Sequence, residues 1–334
     1  MLRSISAAIS TYNAGRYIQD CLDSVVNQSF NDLEIICIDD ASTDDTLSIL
    51  NDYASKDKRI IVVAKKKNEG LAVSRNEALS LAQGKYIAFI DGDDLYHPDL
   101  FRKAYDCAER NASDMVIWDY VTFRKKEDIE TGKTKNSSLL SLSPLDKISL
   151  LQRPAFIWVK LLRTEVLRSM NVSFPAGLTR QDIPVHWKLI TQIDSISLLP
   201  ERLSYYRQQS EATTRKSDRR LFDLAAVMDI VKDYLVESGL YGVYKNEFLR
   251  QQLGLLHGMV DFIDNDLKAE AHEMLMSRLG EDQWDYIRGK NELIWQKRDF
   301  YLALDGSVPA KLRRFCWLTA RRVYRLFWRK YLLF

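Results

Sequence analysis

The sequence predicts an α/β fold, a mostly parallel sheet with helices on both faces, followed by an all-helical C-terminal region. Two patterns and a composition carry this reading. Over the first hundred residues, short continuous apolar runs alternate with stretches of helical periodicity, as parallel strands buried on both faces do. From about residue 215 to 304 the period is almost wholly helical and amphipathic, as in RLFDLAAVMDIVKDYLVE,. With 334 residues, 46% hydrophobic and 28% charged, the chain is globular and long enough for one or two domains,.

The elements follow in order. SISAAIS is a strand, and AGRYIQDCLDSVVNQ a helix with Tyr17, Cys21, Leu22 and Val25 at helical spacing,. LEIICIDD is a continuous apolar strand, and STDDTLSILNDYASKD opens with capping residues and continues as a helix,. RIIVVAK is a third strand, GLAVSRNEALSLAQG a helix closed by its C-terminal glycine, and KYIAFID a fourth strand,. A helix over about 98–110 and a strand over about 114–123 follow. FRKKEDIETGKTKNSS is charged and aperiodic and reads as a loop or mobile flap,. SPLDKISLLQR and IPVHWKLITQI are helical, and SISLLPERLSYYR is strand-like. Neither an internal repeat nor a low-complexity linker interrupts the chain. A boundary near residue 212 separates residues 1–212 from a helical region, 213–305, and a tail, 306–334. The first part divides into a nucleotide-binding half, 1–100, and an acceptor half, 101–212.

Four cysteines (Cys21, Cys37, Cys107, Cys316) show no paired spacing and read as reduced thiols of a cytoplasmic protein,. The four histidines lack a zinc-type arrangement,. The sequence shows neither a signal peptide nor an apolar run of the roughly 18 residues a membrane span requires. The net charge of +2 hides an asymmetry: eight basic residues fall between Lys311 and Lys330, leaving the rest of the chain at −6. Written as a helix from Pro309, the tail sets these cations opposite Leu312, Phe315, Val323, Leu326, Phe327 and Leu333. That pattern predicts peripheral attachment of residues 309–334 to the inner face of the plasma membrane; the alternative is a terminal helix docked on the helical region.

YIAFIDGDDLYHPD runs a core strand into three carboxylates, Asp91, Asp93 and Asp94, within four positions. Unneutralised, they raise one another's pKa, so a cation is expected there. Two carboxylates one residue apart suit a hard divalent ion, Mn²⁺ or Mg²⁺, that also takes substrate phosphates, with Gly92 letting a diphosphate approach. Ligands of open parallel sheets bind beyond the strands' carboxyl ends, where Asp39, Asp40, Asp91 and Asp93 all lie. A dinucleotide fold is excluded because the first turn, STYNAGRY, carries one glycine where that fingerprint needs three,. A phosphatase of the D-x-D-x-T type is disfavoured because DGDDL lacks the hydroxyl and follows the fourth strand.

Over residues 5–100 the order of motifs resembles family 2 glycosyltransferases of the GT-A, nucleotide-diphospho-sugar transferase, fold. STYNAGRYIQDCLDSVVNQSFNDLEIICIDDASTDDT, NEGLAVSRNEAL and GKYIAFIDGDDLYHPDLF correspond to that family's N-terminal blocks, and FIWVKLLRTEVL, NVSFPAGLTRQDIPVHWKLI and LSYYRQQSEATT to its acceptor half. The resemblance implies that Asp40 accepts the imide N–H of a uracil, that Ser10 and Tyr12 line the base pocket, and that Asp39 serves it. It implies that Asp91 contacts the ribose or the metal region, that Asp93 is the main metal ligand, and that Arg75 binds nucleotide or sugar. Asp182 is then the base that deprotonates the acceptor, in a position where Asp before Ile-Pro is also a natural helix N-cap. The family carries Glu-Asp where this chain carries Gln181-Asp182. Trp158, Lys160, His186 and Arg207 fall on the acceptor or diphosphate side, while His97 reads as structural.

The function expected is a metal-dependent, inverting transfer of a sugar from a nucleotide-diphosphate donor, UDP-linked, to a hydroxyl of a lipid-linked or growing glycan in bacterial polysaccharide biosynthesis. No nucleic-acid partner is implied. Two rivals stay open: a non-catalytic scaffold of the same fold, and a nucleotidyltransferase, although the glycine-rich phosphate loop of the latter is missing.

Overall fold

The computed structural model describes residues 3–130, 135–136, 146–209, 216–289 and 295–305. The chain divides into two compact units, 1–210 and 211–334.

In the first unit the apolar runs become β1 (Ile5–Thr11), β2 (Leu33–Asp39), β3 (Ile60–Ala64) and β4 (Tyr86–Asp91). They pair in parallel in the order β3-β2-β1-β4. Helices α1 (Ile18–Val26), α2 (Thr46–Lys56) and α3 (Leu71–Leu81) connect them. Every residue of β1 and β2 is buried, which is why these strands carry apolar side chains without alternation.

After β4 come β5 (Leu95–Tyr96), α4 (Leu100–Arg110) and the long buried strand β6 (Met115–Phe123). Then α5 (Lys126–Glu130), β7 (Lys135–Asn136) and α6 (Lys147–Leu151) lead to β8 (Lys160–Arg163), α7 (Thr164–Ser169), α8 (Asp182–Gln192) and β9 (Ile196–Arg207). The mostly parallel sheet continues β4-β8-β6-β9-β5. Strand β8 inserts antiparallel between β4 and β6, β9 runs parallel to β6, and β5 and β7 pair antiparallel at the edges. Because β8 runs against β4, its first residue, Lys160, lies at the sheet edge where β4 ends in Asp91.

Three local expectations are corrected. The aperiodic stretch after β6 holds a short helix and a two-residue strand, α5 and β7; its residues 131–134 and 137–138 lie outside the described ones. Helix α3 ends at Leu81 with Ala82 as its C-cap, and Gly84 does not close it. A Cβ on Gly84 would stand 2.5 Å from the backbone nitrogen of Ser6, so the glycine is required by close approach to β1,. Helix α8 begins at Asp182, which therefore does not cap it, and no side chain caps its N-terminus.

The second unit is helical: α9 (Asp223–Glu237), α10 (Tyr241–Phe262), α11 (Lys268–Met276), α12 (Glu281–Arg288) and α13 (Trp295–Leu304). Its core contains Val231, Leu235, Phe248, Leu253 and Leu256, and the Tyr301 hydroxyl donates to Leu253 O at 2.7 Å. Among the described residues no helix is long and apolar enough to cross a membrane. The basic tail expected at 306–334 lies outside the described residues.

Candidate active site

Strands β2 and β4 flank β1 on either side, with Thr11 opposite Asp39 and Ser10 opposite Asp91. Register alone therefore brings the two acidic strand ends to one edge of the sheet. Gly92, between Asp91 and Asp93, has an ordinary negative φ. A Cβ there would lie 2.9 Å from Thr11 Cγ2 and 3.2 Å from Ile18 Cδ1. This glycine is required by the close approach of Thr11 and Ile18,.

The turn is held from several sides. Asp91 accepts from Arg75 Nη2 at 2.8 Å. Asp93 accepts from Gln209 Nε2 at 2.7 Å, and its backbone carbonyl from Arg207 Nε at 2.7 Å. Asp94, fully buried, accepts from the Arg207 backbone N–H at 2.8 Å. Burial, aided by Asp91, pushes the Asp93 carboxyl up to about 6. Burial likewise raises Asp91 against the opposing pull of Arg75, and raises Asp94 further. The cations the sequence did not place here are Arg75, paired with Asp91, and Arg207, beside Asp93 and Asp94; burial still raises all three carboxyls,. No group of three or more acidic, cysteine or histidine side chains among the described residues encloses an ion. Two carboxylates one residue apart fit an ion that completes its shell with phosphate and water.

Arg75 is the centre of the site. The sequence left open a solvated helix face; instead the side chain is 3% exposed, on α3, with its guanidinium over the Phe174 ring at 5.4 Å. Besides Asp91 it binds Asp182 through Nη1. Asn76, its neighbour, exchanges two 2.8 Å hydrogen bonds with the backbone of Phe174 and so docks the 171–181 loop on α3. Asp182 Oδ2 also accepts from Ile157 N at 3.4 Å. Gln181 turns its amide oxygen to Arg75 Nη1 (3.3 Å) and its nitrogen to Leu178 O (3.1 Å). Arg180, just before it, holds φ +60, a conformation that costs a bulky residue energy and is kept only by surrounding contacts.

The base-side residues separate. Asp40 is held by three contacts: it accepts from Glu69 N (3.0 Å) and Gly70 N (2.7 Å) at the start of α3 and pairs with the buried Lys65 at 2.8 Å. Burial opposes its ionisation, but Lys65 and those two N–H groups hold it below the usual carboxylate range. Asp39 accepts from Ser42 N at 3.1 Å, while its buried Oδ1 has no partner; Ser10 Oγ is in the same state. Tyr12 stands 51% exposed beyond β1.

Of the residues expected on the acceptor or diphosphate side, Trp158 is buried, stacked on Phe156 with ring centroids 4.9 Å apart, in a cluster with Tyr120 and Tyr206. Arg207 lies between Tyr17 and Phe123, with Nη2 3.3 Å from Asp20. His97 accepts from Asp99 N at 3.1 Å, a local structural contact. Lys160 and His186 line a cavity together with β6 and the 153–160 segment. Sequence reasoning missed Lys65, one of three consecutive lysines, and Gln209. It also missed the pairing of Arg75 with Asp182 across 107 positions.

Residues 6–160 match the family model described as Glycosyl transferase family 2. The glycosyltransferase EpsJ of Bacillus subtilis is 28% identical over 252 residues, 73% of this chain and 71% of that protein. The poly(ribitol-phosphate) beta-glucosyltransferase of Bacillus spizizenii is 40% identical over 116 residues, 34% of this chain and 18% of that protein. The crystal structure of S. aureus TarS 1–349 with UDP-GlcNAc superposes with a TM-score of 0.58 at 19% identity, covering 86% of this chain and 92% of that one. This likeness establishes the GT-A fold. Residues 6–160 thus resemble glycosyltransferase family 2 along the matched segment, and the protein is a glycosyltransferase.

Proposed function

We propose that the enzyme transfers a sugar, with inversion, from a UDP-linked donor to a hydroxyl of a lipid-linked or growing glycan in bacterial polysaccharide biosynthesis. The observation that carries this reading is the Asp91–Arg75–Asp182 bridge, which joins the carboxylate turn to a carboxylate of the acceptor half. One face of the site suits a charged leaving group, and the other offers a base.

Asp93, with Asp91, would hold Mn²⁺ or Mg²⁺. The ion supplies neutralisation of the leaving diphosphate. Asp182 takes the proton of the acceptor hydroxyl as its oxygen bonds to the anomeric carbon and the carbon–phosphate oxygen bond breaks. Such a base contributes about 10²–10⁴ in rate. Arg75 fixes Asp182 relative to Asp91. Asp40 accepts the imide N–H of the uracil, and Asp39 and Ser10, whose buried oxygens lack partners, line the same pocket. Tyr12, exposed beside them, offers a stacking surface. UDP is favoured as donor nucleotide because the structural relative TarS is seen with UDP-GlcNAc.

The tail, 309–334, is assigned to the membrane surface on the charge pattern of its sequence. Recovery of the whole protein in the soluble fraction at low salt would sink that assignment. The activity is tested by UDP release from a panel of UDP-sugars with Mn²⁺ or Mg²⁺. Metal-dependent release with one sugar, lost in Asp93→Ala, supports the reading. Absence of both release and UDP binding would favour the scaffold.

A further inference from the structure

A cavity of about 90 Å³ lies between β6, the end of α6, the 153–160 segment and the first turns of α8. One ordered water needs roughly 10–15 Å³, so there is room for a small polar group. Its wall contains Lys160, His186, Arg153, Asp119, Tyr120 and Phe156.

Two of these are buried polar groups with unmet demand. Lys160 is 1% exposed and donates to Phe156 O, with no carboxylate in ion-pair reach among the described residues. A buried ammonium in that state costs free energy unless an anion joins it. Accordingly burial lowers it to about 7, with the more distant Asp182 opposing. His186, 3% exposed, meets Leu150 O through Nε2 at 3.1 Å. A carbonyl only accepts, so Nε2 carries the proton and Nδ1 is a lone pair; that buried atom has no partner,. Burial lowers Arg153 in the same wall, with Asp119 opposing.

The unmet demand is therefore one negative charge and one hydrogen-bond donor, side by side. Lys160 precedes Leu161, which pairs with Ala88 of the strand that ends in Asp91, and His186 follows Asp182 by one turn of α8. We infer that this cavity binds an anionic oxygen group of the acceptor, a sugar-acid carboxylate or a phosphate ester, at Lys160, with an adjoining hydroxyl donated to His186 Nδ1. The assignment of this ligand to the acceptor rests on the glycosyltransfer reading given above.

Calorimetry on the full chain tests it with three probes: methyl glucuronide, glycerophosphoglycerol and neutral methyl glucoside. At least one anionic probe is expected to bind, at least about tenfold more tightly than the glucoside. Lys160→Met should weaken that probe about 30-fold or more, as loss of a buried charge partner does, and His186→Leu should weaken it less. UDP affinity should stay unchanged in both variants. Glucuronide binding alone identifies a sugar acid, and glycerophosphoglycerol binding alone a phosphate ester. Equal binding of charged and neutral probes, binding of neither anion, or an unchanged Lys160→Met would overturn the inference. Should Lys160→Met fail to fold, thermal melting of the wild type decides: stabilisation by an anionic probe but not by the glucoside supports it, and equal response refutes it. Anion binding without UDP binding would overturn the donor reading and leave the anion site standing.

Discussion

Arg75 binds Asp182 across 107 positions of sequence while its other nitrogen holds Asp91 at 2.8 Å. One buried guanidinium thereby fixes the separation between a carboxylate at the end of β4 and another at the start of α8. The planar fork of arginine suits two carboxylates at once, and lysine's point charge does not.

Replacing Arg75 tests that role. Arg75→Met leaves two carboxylates facing each other without their cation, and removing one member of a buried pair costs about 3–5 kcal/mol. We expect a large fall in melting temperature and a loss of turnover of about 10²-fold or more. Arg75→Lys should recover stability in part and turnover little. Full activity in Arg75→Lys would show that the bridge has no positioning role.

Gly92 yields a packing prediction. In Gly92→Ala the new methyl meets Thr11 Cγ2 at 2.9 Å and Ile18 Cδ1 at 3.2 Å, an overpacking that costs about 1–3 kcal/mol. Thr11→Ser removes the closer obstruction. In a double-mutant cycle by denaturant unfolding, Thr11→Ser should therefore cost less in the Gly92→Ala background than in wild type. Additive effects would mean that the two positions do not press on each other.

The pH dependence follows from Asp93, whose carboxyl burial raises to about 6 from roughly 3.9 when unfolded. Between those values the folded state binds more protons than the unfolded one, so this group's contribution to stability falls as pH rises through that window and stays low above it. Without divalent metal, Asp93→Asn should therefore be the more stable protein at pH 8, by about 1–2 kcal/mol. Below pH 6 the difference should shrink. Mn²⁺ should raise the wild-type melting temperature at pH 8, less at pH 5, and leave Asp93→Asn nearly unmoved. A wild-type response independent of pH would remove Asp93 from the metal site.

The parallel half of the sheet was legible because each strand is a continuous apolar run and each helix keeps its period. The carboxylate turn was legible because three acids at a strand end demand a cation. What sequence hid was set by distant contacts. Gly84 reads as a helix stop, yet Ser6, on another strand, dictates it. Asp182 reads as a cap, yet Arg75 and Ile157 N claim its oxygens. Asp39 and Asp40 are adjacent and alike in sequence. Only the approach of Lys65 and the start of α3 engages both oxygens of one and leaves the other with a buried, unpartnered oxygen.

The most direct test of the central claim, that Asp182 is the base facing the carboxylate turn, is steady-state transfer by Asp182→Asn beside its affinity for UDP. The account predicts kcat lower by about 10²–10⁴-fold with UDP affinity within about threefold of wild type. Turnover within a few-fold of wild type would contradict it.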